Sequence, residues 1–76
     1  MKSEKNSLLN EQIVALLSGA PETVWRVGAL YDKLRPRWRS GLRLRNIERV
    51  LNSLAKQQKV AVHWEMYNVQ MYRWRV

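Results

Sequence analysis

The chain has no cysteine, one histidine and six carboxylates in 76 residues, and each shortage removes a class of chemistry. Without cysteine there is neither a disulfide framework nor a thiolate metal cluster, so a domain this small must be held by packing alone. His63 has no second histidine or cysteine with which to share an ion, and no metal site is expected. The carboxylates are scattered, with no H-x-x-E pair, no glycine-rich phosphate loop and no serine paired with the histidine. Side-chain catalysis needs paired acids and bases or a nucleophile with an oriented base. The expectation is therefore a protein that is not an enzyme and uses no cofactor. No stretch approaches the roughly 18 apolar residues that cross a bilayer. The opening "MKSEKNS" and the following "LLNEQIVALL" lack the unbroken apolar core and cleavage site of a signal peptide. A cytoplasmic protein without a membrane partner is expected, and the length suits one domain, here placed at 7–76 behind a flexible 1–6.

What the chain does have is positive charge, +8 in net, and it is unevenly placed. Residues 1–34 balance Lys2, Lys5, Arg26 and Lys33 against Glu4, Glu11, Glu22 and Asp32. Residues 35–76 set ten basic side chains against Glu48 and Glu65 alone. All the excess falls in the second part, which points to an anionic partner met by one side of the molecule: nucleic acid first, acidic protein or anionic lipid next.

The apolar spacing predicts the elements. Leu9, Ile13, Leu16 and Leu17, with Leu8 beside them, mark a helix over about 8–18, capped by Ser7 and ended by a left-handed Gly19 with Pro21 behind it. "ETVWR" is a short β-prone piece. Val27, Leu30, Tyr31 and Leu34 form one stripe of a second, short helix, and Pro36 disfavours helix at Arg35. Gly28 weakens this helix and is expected to admit another backbone closely. The stretch "RPRWRSGLRLR" then carries five arginines in eleven positions. Within it Ser40 is a fair cap for a third helix opening at Gly41 or Leu42, or a cap one or two residues later serves instead. Leu44, Ile47, Val50, Leu51 and Leu54 crowd one face of that helix, about 42–57. Arg45, Arg49, Asn52 and Lys56 stack on the other at i, i+4, i+7 and i+11.

The tail alternates as strands do. Val60, Val62 and Trp64 point one way and Ala61, His63 and Glu65 the other; Tyr72, Trp74 and Val76 share a face, with Met71, Arg73 and Arg75 on its reverse. A hairpin centred on Asn68, with its tip near 66–69, sets Trp64 opposite Tyr72, Val62 opposite Trp74 and Val60 opposite Val76, all apolar residues on one face. A slip of one residue would scramble the faces.

This order of helix, short strand, helix, basic turn, helix and hairpin resembles the winged helix-turn-helix domain, an α+β fold in which a three-helix bundle is closed by a C-terminal two-stranded β-hairpin wing. The resemblance covers roughly Ser7 to Val76, and "IERVLNSLAKQQKVAVHW" is its most specific piece. Small regulators of fimbrial gene expression and many small phage and plasmid regulators are similar in size and layout. Two features depart from the family pattern. Gln58 stands where a glycine usually joins the third helix to the wing, and a left-handed conformation there would cost it about 1 kcal/mol. The connection Arg35 to Gly41 is also longer than the three or four residues of a minimal helix-turn-helix.

The resemblance implies a small transcription regulator that binds double-stranded DNA, its third helix in the major groove. Arg43, Arg45 and Arg49 match guanine edges or phosphates, and Asn46 or Asn52 could read adenine. Arg73 and Arg75, with Lys59 and His63, would reach a neighbouring backbone or minor groove. Arg37, Arg39, Ser40 and Lys56 complete the expected contact set, and affinity should fall steeply with salt. Plainer readings stand beside these. The arginine-rich face can be a solvated face. Trp25, Trp64 and Trp74 lie on apolar faces and are expected in the core rather than as base-stacking platforms. Trp38, between Arg37 and Arg39, either anchors the turn onto the core or lies at the binding surface. RNA, by shape and phosphate contacts, and an acidic protein such as a polymerase or another regulator are the alternative partners.

Overall fold

The computed structural model describes residues 4–38, 41–64 and 69–76, with side chains described from Leu8 onward. The described elements run helix α1 (Glu4–Gly19), strand β1 (Val24–Arg26), helix α2 (Val27–Leu34), a 3-10 turn (Arg35–Arg37), helix α3 (Leu44–Lys56) and strands β2 (Val60–Trp64) and β3 (Gln70–Trp74). Element order and type follow the apolar spacing; several boundaries do not.

Leu9, Ile13 and Leu17 are buried along one side of α1, with Leu16 half-buried and Leu8 exposed. The helix starts at Glu4, one turn earlier than expected, because Glu4 and Lys5 are good helix formers that prolong it. Ser7 therefore lies inside the helix rather than capping it. Gly19 is its last residue and is not left-handed. The chain leaves through a turn in which the Thr23 N–H donates to the Ala20 carbonyl at 3.0 Å. Pro21 takes the second position of that turn, where its fixed φ is favoured.

In α2 the expected stripe holds: Leu30 and Leu34 are buried, Val27 and Tyr31 packed against them. Gly28 admits no close backbone. A Cβ built there would meet nothing within 4 Å, because this side of α2 faces open space. Pro36 does not stop the helix before Arg35 either. Arg35 stays helical (φ −51°, ψ −43°), and the chain tightens into the 3-10 turn with Pro36 at its start, where a missing N–H costs little.

Helix α3 opens at Leu44, not at Gly41 or Leu42, since three residues are spent turning into it. Gly41 is left-handed (φ +87°), Leu42 drops into the core, and Arg43 is extended (φ −129°, ψ 146°), its carbonyl accepting from the N–H groups of Asn46 and Ile47. The proposed cap Ser40 lies outside the described residues, as does Arg39. Ile47, Leu51 and Leu54 are fully buried, each contributing about 1.5–3 kcal/mol by removal from water. Leu44, assigned to the same face, is 49% exposed because it stands on the first turn, beyond the reach of the core.

At the far end of α3, Gln58 is left-handed (φ +60°). Its N–H donates to the Ala55 carbonyl at 3.0 Å and that of Lys59 to the Leu54 carbonyl at 2.9 Å, the paired bonds of a Schellman motif, in which a glycine is usual at this place. The turn delivers Val60 into the core as β2 begins.

The sheet has three antiparallel strands in the order β1-β3-β2, one more than the expected hairpin, since β1 pairs with β3 (Val24 with Arg73, Trp25 with Tyr72, Arg26 with Met71). Between β2 and β3 the register is Val60 with Trp74, Val62 with Tyr72 and Trp64 with Gln70. This differs from the expected pairing by two residues, a shift that leaves every side chain on its assigned face. Its consequence lies at one end: Val76 has no partner strand among the described residues and is fully exposed. Of the expected tip near 66–69, residues 66–68 lie outside the described residues. Tyr72, buried in the middle of the sheet, packs on the helices; Val62 and Trp64, further out on the same face, do not. Trp64 is 63% exposed and is no core residue, because its end of β2 opens onto a groove beside α2 and α3 rather than onto the core. Trp25 and Trp74 do pack against the core, although the buried indole N–H of Trp25 finds no hydrogen-bond partner among the described residues.

Candidate nucleic-acid interface

Burial of Ile47, Leu51 and Leu54 fixes which way the other side of α3 looks. At about 100° per residue, Arg45, Arg49, Asn52 and Lys56 fall on the side turned away from them, and all four are exposed. With a rise of 1.5 Å per residue the row spans roughly 16 Å. It carries three cations and an amide. Asn46 sits half-buried on one flank, away from the row, and Glu48 on the flank that lines a groove with Trp64 and Gln70 of the sheet.

The start of the helix adds to this. Arg43 in the capping position makes no side-chain cap, and the first turn contains no acidic residue. Helix N-termini present unsatisfied N–H groups and the positive end of the helix dipole, so this end of the row favours an anion. Arg43 and Arg37 are exposed beside the row's element and in the preceding turn respectively.

Trp38 anchors the connection that precedes α3. Its ring packs against the core and its indole N–H donates to Gln12 Oε1 at 2.7 Å, which ties the connection to α1. Of the two readings of Trp38, the anchor is the one observed. Across the fold, Asn52 also has a structural contact: the Tyr72 hydroxyl lies 3.1 Å from Gln70 Oε1 and 3.4 Å from Asn52 Oδ1, donating to one at a time. Burial, with the Glu48 carboxylate adding to it, pushes the Tyr72 phenol up from its ordinary pKa, so Tyr72 acts as a neutral donor that braces the sheet against α3.

No protein family, curated protein or solved structure matches this chain. The site rests on its own geometry.

That geometry divides the expected contact residues. Arg45, Arg49, Asn52 and Lys56 come together on α3, with Arg43 at its start. Arg73 and Arg75 do not join them. Tyr72 points toward α3, so its neighbour Arg73, opposite Val24 and Ala61, points to the other face of the sheet. Arg75 lines the same shallow cavity there as Arg73, Ala61 and His63.

A feature missed by sequence reasoning is a groove of about 760 Å³ between the start of α2, the Glu48 flank of α3 and the outer part of the hairpin. Asp32, Glu48, Trp64, Val69 and Gln70 line it, together with Arg26 and the open side of Gly28. Asp32 and Glu48 against Arg26 leave this lining without the positive excess of the α3 row. Gly28 and Asp32, four apart and opposite the Leu30 stripe, were the available signal.

Proposed function

We propose that the protein is a sequence-specific double-stranded DNA-binding protein of the winged helix-turn-helix type, a small transcription regulator of the bacterial, plasmid or phage kind. Helix α3 acts as the recognition helix in the major groove; the hairpin is the wing of the fold, and the contacts expected of Arg73 and Arg75 to the same duplex drop out of this reading because both face away from the α3 row. The observation that carries this reading is the α3 row itself: Arg45, Arg49 and Lys56 exposed in line, over an uncapped helix start, on a helix whose opposite face is locked in the core. Guanidinium forks on such a face pair with the two major-groove acceptors of guanine or with phosphates, and an α-helix fits the groove. Burial of Ile47, Leu51 and Leu54 supports a fixed presentation of the helix.

Selection of bound duplexes from a random library at two salt concentrations tests the proposal. A motif should be enriched at both, with affinity falling steeply as salt rises. Enrichment of no motif, or tighter binding to structured RNA than to any duplex, would refute it. A second reading has one observation in its favour: the groove holding Trp64, Asp32 and Glu48 has the volume and the aromatic anchor of a docking site. A partner captured from nuclease-treated extract, and lost on Trp64→Ala, would support docking in place of DNA binding.

A further inference from the structure

The outer face of the sheet carries a second cluster of positive charge. Arg73 stands at its centre, flanked across the strands by Val24 and Ala61, neither of which screens it. Arg75 and His63 line one cavity of about 290 Å³ with it, and no carboxylate is among the described residues of that lining. Lys59, exposed, lies beside Arg75, its carbonyl accepting from the Arg75 N–H at 2.9 Å. Like charges gathered on one face of a sheet repel, and a bound polyanion relieves that repulsion. Alternation along β3 sets the direction: Tyr72 reaches toward Asn52 on α3, so Arg73 faces away from the α3 row.

We propose that this outer face is a second phosphate-binding surface, and that the protein holds two duplex segments at once, one on α3 and one on the back of the sheet. The inference rests on the reading of α3 as a duplex-binding helix and adds a partner site that α3 does not supply. It assigns to Arg73 and Arg75 a role separate from that of Arg45 and Arg49. Contacts on the sheet side are to the backbone, since a shallow cavity on a flat sheet face offers no element to enter a groove.

The test uses the full chain, one biotinylated duplex fixed to beads and a second, labelled duplex in solution, alongside anisotropy measurements on a single duplex. The native protein should retain the labelled duplex on the beads, with a maximum at intermediate protein concentration and a fall in excess. The double variant Arg73→Ala, Arg75→Ala should lose at least tenfold in retention while single-duplex affinity changes less than twofold; both side chains are exposed, and circular dichroism checks the fold. Arg45→Ala with Arg49→Ala should lose both signals. Sedimentation of the free protein should give a monomer. Tight single-duplex binding without retention, or a sheet variant that weakens single-duplex binding as much as the α3 variant does, would overturn the second surface and leave the proposed function standing. A dimeric free protein would also overturn it, by explaining retention through self-association. Absence of any duplex binding would overturn both.

Discussion

Replacing Gln58 by glycine should stabilise the protein, and the amount follows from the turn that joins α3 to β2. Gln58 holds φ +60°, a left-handed conformation that costs an L-residue roughly 1–2 kcal/mol and glycine almost nothing. The Schellman bonds from Gln58 and Lys59 to Ala55 and Leu54 use only main-chain atoms, so they survive the change. Against this gain stands the greater freedom of glycine in the unfolded chain, about 0.5–1 kcal/mol. The balance is a stabilisation of about 0.5–1 kcal/mol, or about 2–8 °C in Tm for a domain of this size. Gln58→Ala removes the same exposed side chain without relieving the backbone and should leave Tm nearly unchanged. Thermal unfolding of the three proteins by circular dichroism reads the difference. If glycine gives no more than alanine, or lowers Tm, the turn is not strained as described, and the α3–β2 junction is set by something other than this cap.

Gly28→Ala should add about 0.5–1 kcal/mol in urea unfolding, because the position is helical and open; a loss would mean that the side of α2 over the groove is covered. Trp38→Phe deletes the 2.7 Å bond to Gln12 and should cost about 0.5–1.5 kcal/mol, with the same loss not repeated when Gln12→Ala is added to it. Tyr72 has a raised folded-state pKa, so its contribution is complete below its unfolded value of about 10 and is lost as pH climbs through the folded one. Stability should fall over that alkaline range in the native protein, and the part owed to Tyr72 should vanish from the pH profile of Tyr72→Phe.

Much of this fold was legible in the residues, for reasons that differ element by element. Ile47, Leu51 and Leu54 repeat at helical spacing and leave one solution for the face of α3 that is buried. Gln58 stood out as a departure from the resemblance, a residue without glycine's freedom where a left-handed conformation is costly; the structure holds it left-handed all the same. The hairpin shows where such reasoning stops. Alternation fixes the parity of pairing, so it separates adjacent registers but not registers two apart. Alternation also says which face Trp64 shares and nothing about what lies beneath it, which is why a residue patterned like core is exposed. Leu44 fails in the same way at the first turn of α3. The site was legible on α3, where one helix supplies all the groups. It was not legible at the groove, where Asp32 of α2 and Glu48 of α3 line one cavity, or at Arg73, where strand alternation turns a basic residue away from the basic helix.

The most direct measurement is the ratio of affinities for a selected duplex and a scrambled one, taken by anisotropy for the native protein and for Arg49→Ala. With Arg49 exposed in the middle of the α3 row, the native protein should prefer the selected duplex. The variant should lose about 1–3 kcal/mol of that preference if Arg49 reads a base, or bind both duplexes more weakly with a shallower salt dependence if it holds a phosphate. A native protein that binds both duplexes equally, or a variant that binds as the native does in every respect, would contradict the assignment of α3 as the recognition helix.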